Sequence, residues 1–163
     1  FATPALADWQ YTRWGMSVDE VLAASNGSAS KVRDDKDKRV RKLPRLALGT
    51  VKEGDTEFTV EFFFEKKKLR FLRYVPKTDL DCDSEERLLL DRFGAVEPVH
   101  DQFEFPGRNL VLGKSRKLVW NLPGNDQLKF DIIWFERPDL SNVKSKRLCS
   151  VLIEAKPPAG QPS

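Results

Sequence analysis

The sequence predicts an α+β fold in which two helices pack on an antiparallel sheet, arranged as tandem α-β-β-β units. Two segments, near residues 17–25 and 83–93, have helical spacing with start and stop signals at their ends. Each is followed by short runs that alternate apolar and polar residues, joined by turn residues. Strands that follow one another without intervening helices favour an antiparallel sheet with the helices on one face.

The first helix has a complete set of boundary signals in the stretch YTRWGMSVDEVLAASNG. Ser17 is a favourable N-cap, and Glu20 three residues later completes a capping box. Met16 and Val21 have the spacing of a hydrophobic staple, which fixes the angle at which the chain enters a helix. Gly27 accepts the left-handed conformation, so the helix is expected to end there.

Three strands follow the first helix. Residues 28–45 are polar and predict a loop that ends in a short edge strand. The strands themselves are expected at 46–51, 57–64 and 69–75. Alternation in the second of these strands places four apolar side chains on one face: Phe58, Val60, Phe62 and Phe64.

The second half repeats this order of elements. Asp83 with Glu86 predicts a second capping box, and Gly94 predicts the end of the second helix. The rest of the chain is expected to form a loop over PVHDQFEFPGRN, strands at 117–122, 128–135 and 147–155, and a disordered tail at 156–163.

The two halves also share a local pattern. Residues 60–64 and 130–134 both consist of an apolar, an acidic, two apolar and an aromatic residue. This offset predicts an internal repeat, with halves at 8–78 and 79–155, inside a single domain that covers residues 8–155. Chance similarity between two strands is the alternative.

The beginning of the chain predicts export. Residues 3–7 have the A-x-A form of a secretory cleavage site. Residues 1–7 are therefore interpreted as the end of a signal peptide cleaved after Ala7, with an ordinary alanine-rich tail as the alternative. No apolar run approaches the roughly 20 residues of a membrane span. The mature protein is expected to be periplasmic or secreted, without a transmembrane segment.

The two cysteines, Cys82 and Cys149, agree with an oxidising compartment, where they are expected to form a disulfide. The bond would close a loop of roughly 70 residues and contribute about 4 kcal/mol in the chain-entropy treatment. Two buried free thiols are the alternative, because spacing in the sequence does not show whether the Cα atoms approach each other.

The helix entry WGMSVDEV, residues 14–21, resembles that of a group of small bacterial periplasmic proteins, which share Trp-Gly-Met-Ser/Thr-x-x-Glu-Val. Their second helix ends in an aromatic-Gly pair followed by Pro and by a Trp-bearing strand, matched here by Phe93-Gly94, Pro98 and Trp120. The architecture is more distantly similar to β-lactamase inhibitory protein. It is also similar to small lipoproteins of the outer-membrane assembly machinery, although Asp8 stands where those carry an anchor cysteine. The resemblance implies a fold and a compartment, and it carries over no catalytic residue.

The sequence predicts no catalytic, cofactor or metal site. The single histidine, His100, has no partner at the spacing of a zinc site and is interpreted as a surface loop residue. The acidic residues 79–86 are spaced like the start of a calcium loop. They lack the glycine of that loop, and they overlap a helix start, where acidic side chains are favourable by themselves.

Five basic residues of one hairpin predict a surface for an anionic partner: Lys66, Lys67, Lys68, Arg70 and Arg73. Residues 31–45 carry a second basic group. Together they could attract lipid head groups, lipopolysaccharide or an acidic protein. The alternative is a solvated hairpin whose lysines protect a sheet edge. A net charge of +3 gives no reason to expect nucleic acid as a partner.

The leading functional hypothesis is a non-catalytic exported binding or accessory module whose partner is a protein or an envelope component. The alternatives are an envelope-associated protein that binds anionic lipid or lipopolysaccharide through its basic surface, and an enzyme of unrecognised type. Trp9 and Tyr11 are expected either to pack on the sheet or to stay open for a partner.

Overall fold

The computed structural model describes residues 9–107, 109–136 and 147–157. The predicted signal-peptide residues 1–7 lie outside the described residues. So do residues 137–146 of the last predicted loop and residues 158–163 of the predicted tail.

The described residues form two α-helices, one short 3₁₀ helix and eight strands. The helices are α1 (Val18–Ala24) and α2 (Cys82–Phe93), and the 3₁₀ helix is Lys36–Lys38. The strands are β1 (Ser30–Lys31), β2 (Arg45–Glu53), β3 (Thr56–Glu65), β4 (Lys68–Pro76), β5 (Val99–Glu104), β6 (Val111–Asn121), β7 (Asp126–Phe135) and β8 (Arg147–Ala155). They form one sheet in the order β1-β2-β3-β4-β8-β7-β6-β5. The predicted class, α+β with two helices and an antiparallel sheet, is confirmed.

Each predicted α-β-β-β unit contains four strands rather than three. The short edge strand expected at the end of the polar segment 28–45 lies near its beginning instead, as the two-residue strand β1, which pairs with β2. β5 forms over part of PVHDQFEFPGRN, where the prediction of a loop is wrong. This strand lies at the edge of the sheet and exposes most of its side chains, so its sequence is polar enough to resemble a loop.

Helix α2 begins two residues earlier than predicted. Its N-cap is Asp81, whose side chain accepts a hydrogen bond of 2.7 Å from the backbone N–H of Ser84. The predicted capping box of Asp83 with Glu86 is wrong because both carboxylates pair with arginines from the sheet instead. Gly94 ends the helix as expected, with a φ of 95°.

The chain divides into two compact units. The first contains the residues up to Asp79 together with 121–128 and the residues from Leu152 onwards, and the second contains Leu80–Trp120 and Lys129–Val151. Neither unit is continuous in sequence. The internal repeat with halves at 8–78 and 79–155 stays a prediction.

In the first unit, strand β3 is buried on both faces. Its four side chains predicted on one face are completely buried: Phe58, Val60, Phe62 and Phe64. Phe63 points to the opposite face and is equally buried. It stacks on Phe71 of β4 with ring centroids 4.7 Å apart, and Val40 and Leu43 pack against this pair. Burial on both faces explains why residues 62–64 are three consecutive phenylalanines.

Trp9 and Tyr11 pack on the sheet rather than staying open. Trp9 is only 6% exposed, and its indole N–H donates to the hydroxyl of Tyr74 at 2.6 Å. Both rings lie beside Phe62. A Cβ at Gly49 would come within 3.1 Å of the Tyr11 hydroxyl oxygen, so this glycine leaves room for the tyrosine ring.

The residues before α1 attach the helix to strand β4. Gly15 donates its backbone N–H to the carbonyl of Leu69 at 3.0 Å, and the Leu69 N–H donates to the carbonyl of Met16 at 2.8 Å. Gly15 has a φ of 93°, which favours glycine. The predicted capping box of Ser17 and Glu20 is confirmed. The hydrophobic staple stays a prediction.

Candidate functional site

Two hairpin turns made of basic residues lie at the same end of the β2-β3-β4 meander. One is the two-residue turn Lys66-Lys67 between β3 and β4. The other is Arg41-Lys42, which is flanked by an isolated β-bridge. Because β2 begins at Arg45 opposite Phe63, the chain that enters β2 lies at the end of β3, next to the first turn.

All four turn residues have a left-handed backbone. The φ angles are 50° at Lys66 and 66° at Lys67, and they are 52° at Arg41 and 66° at Lys42. Two consecutive positive φ angles in a two-residue hairpin loop are typical of a type I′ turn, for which Asn-Gly is a preferred sequence. For residues with a Cβ this conformation costs roughly 1 kcal/mol each. Basic side chains therefore occupy positions where smaller residues would cause less strain.

The lysines of the β3-β4 hairpin are exposed and form no salt bridge with any residue that the structure describes. Arg70 of β4 and Lys42 of the other turn share both properties. Glu65, at the start of the turn, adds one exposed carboxylate. We call the basic members of this group the basic end: Lys42, Lys66, Lys67, Lys68 and Arg70.

Arg73 departs from the predicted anionic-partner surface because its charge is used inside the protein. Its Nε lies 2.5 Å from a carboxylate oxygen of Glu61, which is only 3% exposed and also contacts Arg45 at 2.7 Å. The Arg73 guanidinium also lies over the ring of Phe63, 5.8 Å from its centroid. The sequence shows this arginine as one more basic residue, and only strand register reveals its partner.

The disulfide between Cys82 and Cys149 is confirmed, with a Cα–Cα distance of 5.8 Å. Cys82 is the first residue of α2, and Cys149 lies in β8. Both cysteines are half-buried. The bond therefore attaches the beginning of the helix to Cys149 within the second unit, and it is compatible with an extracytoplasmic protein.

Glu85 is a buried carboxyl group beside this disulfide. It is 3% exposed, and its Oε2 lies 3.4 Å from the Sγ of Cys149. Burial raises the pKa of Glu85 to about 7. A disulfide sulfur has no proton to donate, so only the protonated carboxyl can form a hydrogen bond here. The sequence contained one signal for this contact, because Glu85 follows Cys82 by three residues and so shares its helix face.

Two ion pairs hold the first turns of α2. Arg147 of β8 binds Asp83 through two hydrogen bonds of 2.7 and 3.0 Å, and Arg116 of β6 binds Glu86 at 2.5 Å. Both guanidinium groups lie over Trp134, at 5.1 and 5.2 Å from its ring centroid. The hydrogen bond from Arg147 holds the pKa of Asp83 below its usual value. Two carboxylates of the acidic segment 79–86 are therefore engaged by arginines.

The described residues contain no group of three or more His, Cys, Asp or Glu side chains that could hold a metal ion. His100 is exposed as expected, but it lies in strand β5 rather than in a loop. It lines an open depression of about 310 Å³ together with Asp101, Gln102 and Lys114.

Comparisons with protein-family models, curated proteins and solved structures find no match for this chain. The resemblance of the WGMSVDEV entry to small periplasmic proteins therefore stays a prediction. In the part of the chain that the structure describes, no helix is long and apolar enough to cross a membrane.

Proposed function

We propose that the chain is a non-catalytic exported module that binds phosphate-bearing lipids of the cell envelope through its basic end. The observation that carries this proposal is the conformation of the two turns. Lys42, Lys66 and Lys67 occupy left-handed positions that favour Asn or Gly. The fourth turn residue, Arg41, is also left-handed, but its guanidinium pairs with Glu154 at 2.8 Å, so the argument depends on the three lysines. Keeping basic residues there in spite of strain indicates a use for their charge.

The kind of surface also supports a lipid head group as the partner. The exposed members Lys66, Lys67 and Lys68 are consecutive and protrude from a hairpin. Mobile ammonium groups of this kind attract phosphate without demanding a particular geometry. Each cation near an anionic membrane contributes about 1 kcal/mol to binding, so a group of four or five gives measurable but salt-sensitive attachment.

The test is flotation of the mature chain with vesicles that contain phosphatidylglycerol, compared with vesicles of phosphatidylcholine alone. We expect binding only to the anionic vesicles, and we expect it to disappear as the salt concentration rises. Replacing the turn by Asn-Gly (Lys66→Asn with Lys67→Gly) should weaken binding roughly 30-fold, since it removes two cations near the membrane. It should also raise the unfolding free energy by about 1 kcal/mol, because the new turn has the preferred sequence.

A matched control removes two lysines at the opposite end of the same meander. Lys52 precedes the β2-β3 turn, and Lys77 follows β4. Lys77 forms an exposed ion pair with Glu57, and such pairs contribute little to stability. Lys52→Ala with Lys77→Ala should leave vesicle binding within about twofold of the parent. Absence of binding by the parent at low salt, or an equal loss in both variants, would contradict the proposal.

A further inference from the structure

Both cysteines of the disulfide in the second unit are half-buried rather than fully buried. Cys82 is half-buried between Asp81 and Asp83, both of which are exposed. On the other side of the bond, Leu148 next to Cys149 is 46% exposed. Cys82 is also the first residue of a twelve-residue helix, a position at which the helix dipole stabilises a thiolate.

Glu85 is placed at the other sulfur. Its carboxyl Oε2 lies 3.4 Å from Cys149 Sγ, and its side chain forms no salt bridge with any described residue. A buried carboxyl without a cationic partner is costly to ionise, so it keeps its proton into the neutral range. The two sulfurs are thus unequal, because Cys82 has the helix terminus and Cys149 has a proton donor.

We propose that Cys82–Cys149 is a thiol–disulfide exchange site for dithiols, and that the Glu85 carboxyl supplies the proton that Cys149 takes up when the bond opens. This activity is independent of lipid binding at the basic end. It assigns a reacting role to a carboxyl group whose burial would otherwise only destabilise the fold.

The exchange proceeds in two balanced steps. A thiolate of the dithiol attacks the Sγ of Cys82, the disulfide breaks, and its electron pair passes to the Sγ of Cys149, which takes the proton from Glu85. The second thiol of the dithiol, after losing its proton, then attacks the mixed disulfide and releases Cys82 as a thiolate. The dithiol loses two electrons and two protons and becomes a disulfide. The protein gains the two electrons as the Cys149 thiol and the Cys82 thiolate, and the solvent, which received the two protons, returns one to Glu85.

Charged residues of α2 flank Glu85 in the sequence, and arginines of two strands pair with this helix. They are Asp81, Asp83, Glu86 and Arg87 on α2, Arg147 on β8 and Arg116 on β6. Asp83 pairs with Arg147, and Glu86 pairs with Arg116. The raised pKa of Glu85 results from burial, so the expected pH dependence belongs to this carboxyl.

The test measures how fast dithiothreitol reduces the bond, by trapping free thiols with an alkylating agent and counting them by mass spectrometry. The second-order rate constant is divided by the fraction of dithiothreitol present as thiolate. For the parent chain we expect this normalised constant to be level at acidic pH and to fall as pH rises through about 7, where Glu85 loses its proton. A normalised constant that shows no change in this range would overturn the role of Glu85.

Two substitutions sharpen the result. Glu85→Gln keeps the shape of the side chain but has no acidic proton, so the normalised constant should fall at least about tenfold at acidic pH and lose its dependence on pH. Asp81→Asn is the control, since it removes a nearby charge, keeps an N-cap side chain and leaves Glu85 in place. The normalised rate constant of the Asp81→Asn variant should still fall as pH rises through the neutral range, as in the parent.

A different outcome would overturn the exchange site itself. If the reduction rate is independent of the dithiothreitol concentration, the bond becomes accessible only after unfolding, and the disulfide is purely structural. Because this outcome is read from the parent chain, it decides the matter even if a variant fails to fold.

Discussion

The two helices are held to their strands by different kinds of contact. Helix α1 is attached mainly by the backbone pairing of Gly15 and Met16 with Leu69 and by the burial of Val21. One carboxylate also takes part, because Asp126 accepts a hydrogen bond of 2.9 Å from the indole N–H of Trp14. Helix α2 also buries an apolar residue, Leu89, but its first turns are attached by a disulfide and by two ion pairs.

This difference determines what each helix responds to. Backbone hydrogen bonds and apolar burial change little with redox state, or with pH near neutrality. A disulfide can be reduced, a buried carboxyl titrates, and ion pairs that are partly exposed weaken in salt. We therefore expect α2 to be the part of the molecule that senses its chemical surroundings, and α1 to stay in place.

Removal of the disulfide should give the largest effect on stability. Replacing Cys82 and Cys149 together by Ala opens a loop with a sequence separation of 67. In the chain-entropy treatment this lowers the unfolding free energy by about 4 kcal/mol. Urea unfolding followed by circular dichroism measures the change. A loss below about 1 kcal/mol would show that ion pairs and apolar contacts hold α2 without the covalent bond.

The next effect concerns the pH dependence that Glu85 imposes. The folded chain keeps the Glu85 proton up to about pH 7, whereas the unfolded chain loses it near the ordinary value of 4.5. In that window the folded state binds more protons, so the contribution of Glu85 to stability falls as pH rises and is level above about 7. Glu85→Gln removes this titration. As pH rises from 4.5 to about 7, the unfolding free energy of the variant should therefore rise by about 3 kcal/mol relative to that of the parent.

Urea unfolding of both chains at several pH values provides the measurement. Glu86→Gln is the control, because Glu86 is paired with Arg116 rather than buried without a cation. The difference in unfolding free energy between Glu86→Gln and the parent should not show the pH dependence expected for Glu85→Gln. If the difference between Glu85→Gln and the parent is independent of pH, Glu85 is ionised in the folded chain and the description of its surroundings is wrong.

The same contrast explains how much of the structure the sequence could reveal. The boundaries of α1 depend on residues within a few positions of one another, and the capping box of Ser17 and Glu20 could be read directly. Asn26 and Gly27 also have the left-handed φ angles expected after that helix, 52° and 89°. Local rules were sufficient because the hydrogen bonds of Ser17 and Glu20 among the described residues join these two residues to each other.

The start of α2 could not be read in this way. Asp81 and Asp83 are both good N-cap residues. Which of them caps the helix depends on Arg147, which lies 64 residues further along the chain and binds Asp83. Glu85 looks like one more exposed acid until strand β8 brings Cys149 against it. The basic end was predicted from composition, but the separate use of Arg73 required the register of β3 with β4.

The smallest effect should come from the cap of α1. The hydroxyl of Ser17 accepts a hydrogen bond of 3.2 Å from the Glu20 N–H, and Ser17→Ala should cost about 1 kcal/mol of unfolding free energy. Ser17→Asp is the control, since it keeps an acceptor at the N-cap and should lose much less. Because no titrating sulfur or buried carboxyl takes part, the cost should be the same in reduced and oxidised protein and on either side of neutral pH. A cost that appears only after reduction of Cys82–Cys149 would mean that α1 is not independent of the disulfide, and the contrast between the helices would fail.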